Sequence, residues 1–198
     1  MKILTLLFAL TLALAGCKTA ADQPAPSPAA TTDHITVLAK HLPAAGQPDL
    51  DADPVVVRLE KFTVTKASFD PKNLEGGTAT IELDLTSMKS GDTERDDDLK
   101  SPKFFDVAKF ATVTIEVANV TKQADKYVAA ATVTCHGVTK IYPVAFAVLA
   151  TTADSVTIEG RKAFSRLDFA VGVDPAKDPS ERVDTALILE WVLTFKKA

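Results

Sequence analysis

The sequence predicts an all-β domain, either a barrel or a sandwich of about seven or eight antiparallel strands. Three observations carry this. Apolar residues recur with a period of two along most of the chain after Asp33, turn-forming clusters separate those runs, and one short interval alone has the marks of a helix. The length of 198 residues fits one domain, and 46% apolar with 24% charged residues is ordinary for a chain that folds in water. Lys and Arg total 22 against 26 Asp and Glu, a formal net charge of -4 with no long basic block, so no nucleic-acid partner is expected.

In chain order, Ile35 to Lys40 is expected as an edge strand and Val55 to Phe69 as a longer strand. Asp70-Pro71-Lys72-Asn73 and Glu75-Gly76-Gly77 then read as turns. Between Thr78 and Met88, Ile81, Leu83 and Leu85 alternate with Thr80, Glu82, Asp84 and Thr86, which puts the odd positions on a dry face. Asp92 to Lys100 breaks the alternation: Asp or Thr at the N-cap, acidic residues in the first turn and Lys at the end suit a helix dipole. This helix should stop before Pro102, expose Asp96 to Asp98, and be followed by a buried Phe104-Phe105 pair. Ala111 to Val120 again alternates, with Val113, Ile115 and Val117 on one face. Tyr127 to Cys135, Ile141 to Leu149, Ser155 to Phe164 and Arg166 to Val171 read as further strands, with turns at Gln123-Ala124-Asp125 and His136-Gly137. Arg166 and Asp168, of equal parity, are expected to pair with each other. In Ala186 to Lys196, Leu187, Leu189, Trp191, Leu193 and Phe195 point one way. The small residues Ala129, Ala130, Ala131, Ala145 and Ala147, depending on register, would leave a barrel interior underfilled.

The start of the chain reads as an address. Lys2, the apolar run Ile3 to Ala15 and the small residues before Cys17 have the form of a secretory signal, too short for a spanning helix. Leu14-Ala15-Gly16-Cys17 resembles the lipobox of bacterial lipoproteins, which implies cleavage before Cys17 and acylation of its thiol. Residues 1–16 are then the signal peptide, 17–33 a lipidated Cys and Pro/Ala-rich tether, and 34–198 the folded domain. Losing Lys2 takes the mature chain from -4 to -5, and acylation of Cys17 leaves Cys135 without a disulfide partner. Lys18 stands where some lipoproteins carry an Asp retention signal, so the resemblance implies an outer membrane location facing the periplasm.

No sequence signature of catalysis occurs: there is no phosphate loop, nucleophile elbow, His-Glu-x-x-His or Cys-x-x-Cys. The acidic run lacks the spacing and central Gly of a calcium loop, and adjacent Cys135 and His136 alternate faces, so no metal is expected and His136 reads best as a buried or hydrogen-bonded turn residue.

Several motifs in series resemble one family. Glu94-Arg95-Asp96, Leu99-Lys100-Ser101 and Phe104-Phe105-Asp106-Val107 are followed by Cys135-His136-Gly137-Val138-Thr139-Lys140 and Arg166-Leu167-Asp168-Phe169-Ala170-Val171-Gly172, in the order and spacing of the YceI family. His34-Ile35-Thr36-Val37, Lys40-His41 and Ser68-Phe69-Asp70-Pro71 extend the resemblance to about residues 34–197. It implies an exported, lipocalin-like antiparallel barrel that holds a polyisoprenoid amphiphile such as an isoprenoid quinone or a prenyl phosphate; with no catalytic signature, neither an enzyme nor another cofactor is expected. Asp98 stands where many members have His, and Asp49-Leu50-Asp51-Ala52-Asp53 adds acidic residues to the first connection.

On this reading Ile81, Leu83, Leu85, Val113, Ile115, Val117, Phe146, Phe164, Phe169 and Trp191 line the cavity, and Phe104 and Phe105 close or edge it. His41, Arg95, His136 and Arg166 are the candidates for a headgroup. The expected partners are the isoprenoid lipid and, through the N-terminal anchor, the membrane, with a homodimer left open. The alternative is a structural or interaction lipoprotein of the envelope whose barrel is filled by side chains.

Overall fold

The computed structural model describes residues 32–43, 53–178 and 180–197. The expected export signal, Cys17, most of the expected tether and the acidic connection as far as Ala52 lie outside the described residues. The elements are β1 (His34–His41), β2 (Val55–Leu59), β3 (Phe62–Asp70), β4 (Asn73–Asp84), β5 (Met88–Lys89), α1 (Thr93–Lys100), β6 (Thr112–Gln123), β7 (Lys126–Cys135), β8 (Val138–Thr151), β9 (Ser155–Ser165) and β10 (Val183–Lys196). The strands form one ten-stranded sheet in the order β3-β4-β6-β7-β8-β9-β10-β1-β2-β5, with antiparallel ladders.

The sheet is curled by a single bent stave. Only Glu60 and Lys61 separate β2 from β3, yet β2 pairs with β1 and β3 with β4, at opposite ends of the strand order. Counting that stave once and the two-residue β5 not at all, the wall has eight staves. Such closure removes most of the free strand edge that an open sheet would present. Beyond Leu59 the stave parts from β1, and between β3 and β10 side chains take over from the ladder: the rings of Phe69 and Phe195 meet edge to face at 6.5 Å.

Period-two patterning decides what faces in. Odd positions of β1, β2, β4, β6, β7 and β10 and even positions of β8 and β9 carry the core, among them Ile35, Val57, Ile81, Val113, Ala131, Phe146, Ile158 and Leu193. Each large apolar side chain so buried contributes about 1.5–3 kcal/mol.

The two ends of the barrel are built differently. At one, the hairpin end, the connections β3–β4, β6–β7 and β8–β9 are tight turns. At the other, the loop end, lie the long connections β1–β2, β4–β6 with α1, and β9–β10, beside the turn His136-Gly137. Both residues of that turn have positive φ, 51° and 75°, as a type I′ hairpin requires. The chain enters at the hairpin end, where His34 lies opposite Val192 and Asp33 accepts a hydrogen bond from the Thr194 hydroxyl at 2.8 Å.

Several local expectations are corrected. Residues 35–40 belong to an inner strand between β10 and β2, because the bent stave covers the edge they would otherwise form. The run from Val55 to Phe69 breaks at Glu60-Lys61, where it changes partner. Glu75-Gly76-Gly77 lies inside β4 as an irregularity facing Phe69, the true turn being Pro71-Lys72; Glu75 accepts a hydrogen bond there from the Lys122 amide. The strand expected through Met88 stops at Asp84, whose carboxylate caps a 3-10 turn over Leu85–Ser87. The stretch from Arg166 is also a 3-10 turn, Arg166–Phe169, capped by the Ser165 hydroxyl and ended by left-handed Ala170. Helix α1 follows expectation, with Asp92 accepting from the Arg95 amide and Lys100 in the last turn. Asp96, however, is buried at 4% exposure.

Candidate functional site

The barrel encloses a cavity of about 600 Å³, within the range of small-molecule sites, about 300–1,000 Å³. Its wall is what the strand parity dictates: Ile81 and Leu83 of β4, Leu85 just beyond it, Val113, Ile115 and Val117 of β6, Phe146 of β8, Phe164 of β9 and Trp191 of β10 all line it. Phe104, Phe105 and Phe169 reach it from the loop-end connections. Of the small residues thought to create space only Ala131 lines the cavity, since Ala145 on β8 has the outward parity and is exposed. Trp191 keeps its place on the wall because Gly160 faces it. A Cβ on Gly160 would lie 2.1 Å from the indole Cζ2.

Charge is concentrated toward the loop end, with Lys162 of β9 set below it. Lys40, His41, Asp92, Glu94, Arg95, Asp98, Lys103 and Arg182 line the cavity from the loop end and reach solvent, forming a mouth between α1 and the ends of β1 and β2. Leu74, Val120, Val156 and Phe195, all buried, occupy the hairpin end.

The headgroup candidates separate once placed. His41 and Arg95 lie at the mouth. His136 does not line the cavity; its Nδ1 is 3.2 Å from the Phe169 carbonyl and its ring packs against Phe110 at 4.5 Å. Arg166 borders the cavity but is committed to the fold. Its Nε donates to the Asp184 carbonyl at 3.0 Å, Nη1 to that of Val171 at 2.8 Å, and Nη2 to those of Val173 and Val183 at 2.7 and 2.8 Å. Burial lowers its pKa from the ordinary arginine value, while Glu181, Asp174 and Asp184 oppose the shift. The expected pairing with Asp168 does not occur, because Asp168 accepts from the Tyr142 hydroxyl at 2.8 Å. Gly172 permits this arrangement at φ 70°, since a Cβ there would stand 2.5 Å from Arg166 Nη1.

Two further groups fix the loop end. Asp96 accepts from the amide and hydroxyl of Ser90, each at 2.7 Å, and lies 3.6 Å from Lys89 Nζ, which docks α1 onto β5. The Ser90 hydroxyl bond chiefly holds its carboxyl below the usual carboxylate range, against the effect of burial. Glu181, buried, accepts from the Arg182 and Val183 amides and meets Lys103 at 3.8 Å. Inside the cavity, burial raises the Cys135 thiol to about 12, and burial followed by the bond to Asp168 raises the Tyr142 phenol. Among the described residues no group of three or more His, Cys, Asp and Glu side chains is arranged to hold a metal ion.

The model of the YceI-like domain matches residues 32–194. This chain belongs to the YceI family. The match to curated YceI-type relatives is partial: a UPF0312 protein of Yersinia pestis is 34% identical over 73 residues, 37% of this chain and 38% of the relative. Protein YceI of Salmonella arizonae is 33% identical over the same shares. The chain thus spans well under half the length of these relatives. Among solved structures, BcnA of Burkholderia cenocepacia has a TM-score of 0.70 at 21% identity, covering 82% of this chain and 96% of that one. The YceI protein of Campylobacter jejuni has a TM-score of 0.66 at 16% identity, covering 77% and 90%. A domain from Saccharophagus degradans, described as polyisoprenoid binding and implicated in plant cell wall breakdown, has a TM-score of 0.64 at 12% identity, covering 84% and 94%. At these identities the likeness establishes a shared YceI-like barrel.

Proposed function

We propose that this protein is a lipid-anchored envelope lipoprotein whose barrel binds and carries or sequesters a polyisoprenoid amphiphile, an isoprenoid quinone or a prenyl phosphate. The observation that carries the reading is the largely apolar cavity of about 600 Å³ whose charged residues lie toward the loop end. An amphiphile has the same division, and its chain gains about 0.8 kcal/mol for each methylene buried. The polyisoprenoid-binding description of the Saccharophagus neighbour supports the ligand class. The lipobox-like Leu14-Ala15-Gly16-Cys17 supports the anchor, and with it an outer membrane site facing the periplasm. Binding needs no catalytic group, and none is proposed. A filled interaction barrel would lack this space.

The test is mass spectrometry of organic extracts from the Cys17→Ser protein, directed to the periplasm and purified without detergent. A stoichiometric prenyl lipid is expected. An extract that is clean, and stays clean after incubation with prenyl lipids, refutes the reading. Leu83→Arg, which puts a guanidinium into the wall, should abolish retention in a folded protein; unchanged retention would show that the ligand lies elsewhere.

A further inference from the structure

One cation set below the mouth faces the cavity with no ion-pair partner among the described residues. On β9 the even positions Val156, Ile158, Lys162 and Phe164 all line the cavity. Lys162 lies opposite Leu189 of β10, and its Nζ stands 5.8 Å from the ring centroid of Tyr142. That ring offers a π face only, because its hydroxyl is already given to Asp168. Among the described residues no carboxylate comes within 4.0 Å of Lys162 Nζ. Of the other cations lining the cavity, Arg166 is committed to four carbonyls, Lys103 to Glu181, Arg182 to the Leu42 carbonyl and Arg95 to Asp92, while Lys40 and His41 stand at the mouth.

A lysine carries three donors and no acceptor. Half-buried in a wall of Leu, Phe and Tyr side chains, this ammonium has a use for an anionic oxygen that the described side chains do not supply. Attraction between charges strengthens where the cavity excludes water. We propose that Lys162 is the headgroup anchor of the cavity, and that it selects amphiphiles with an anionic oxygen headgroup, a phosphate or carboxylate, over neutral ones. The inference rests on the lipid-binding reading. The geometry sets the headgroup below the mouth at the level of Leu189, and the tail then runs past Trp191 and Phe146 toward Leu193 and Phe195 at the hairpin end.

The test compares geranylgeranyl phosphate with geranylgeraniol, equal in chain and different in charge. The Cys17→Ser protein has one tryptophan, Trp191, on the cavity wall, and quenching of its emission reports both affinities. One charge-assisted contact predicts a phosphate-to-alcohol affinity ratio of about tenfold or more. Lys162→Met should bring that ratio near one, and Lys162→Arg should keep it; Lys162→Gln serves as a second neutral variant if the methionine protein is not folded. A ratio near one in the unsubstituted protein, or an undiminished ratio in the folded neutral variants, overturns the anchor while leaving the lipid-binding reading in place. Failure to bind either probe, or any prenyl lipid, overturns both.

Discussion

The hairpin end and the loop end of this barrel are ordered by different forces. The hairpin end is held by apolar contact: Leu74, Val120, Val156 and Phe195 are buried there, with Phe69 against Phe195. The loop end contains every buried polar or charged residue of the described chain, namely Ser87, Asp96, Asp106, Arg166 and Glu181. Its connections are long and would leave their own amides and carbonyls unpaired; buried side chains supply those partners. The contrast separates a floor that needs only to exclude water from a mouth that must be shaped while staying wet. Apolar packing suffices for the first and directional bonds are required for the second.

Three substitutions test this contrast. The largest effect is expected at the floor, where Phe195→Ala removes a buried ring that links β3 to β10 and should cost about 3–5 kcal/mol in denaturant unfolding. That loss should be the same at pH 7 and pH 4, since no titrating partner is involved. Next, Arg166→Met keeps the volume but leaves four carbonyls without their donor. A loss of about 3 kcal/mol is expected, with faster hydrogen exchange in residues 171–184 than at the hairpin end. Equal exchange at the two ends would remove the distinction between them.

The smallest effect is the most selective. Asp96 has a carboxyl pKa below its ordinary value, so its contribution is complete above about pH 4, the unfolded range, and is lost as pH falls through the folded value. Between pH 5 and pH 3 the parent protein should therefore lose stability more steeply than Asp96→Asn. Parallel curves for the two proteins would show that docking of α1 does not depend on that charge.

The same contrast explains what the sequence revealed. The cavity wall was legible because alternation at Ile81, Leu83 and Leu85, or at Val113, Ile115 and Val117, reports facing directly. So was α1, whose cap and terminal charges are local signals. The loop end was not: Arg166-Leu167-Asp168-Phe169 alternates over too few residues to tell a strand from a 3-10 turn, and the carbonyls that decide it come from Val171, Val173, Val183 and Asp184. Asp96 resembled its exposed neighbours Asp97 and Asp98 because its partner Ser90 precedes the helix. Lys162 did leave a trace, since it shares parity with Ile158 and Phe164. A single charge in the run does not distinguish an inward lysine from one on a solvated face.

The point of entry of the chain has a directional consequence. β1 begins beside the sealed floor and ends at the mouth. The proposed anchor upstream of His34 would therefore pull on the floor, and a taut linker would aim the opening away from the bilayer. Under the proposed function, attachment and exchange would occupy opposite poles. A cargo taken up in that posture would be presented to a facing surface across the gap, and loading from the home bilayer would require the domain to tip over on a slack linker.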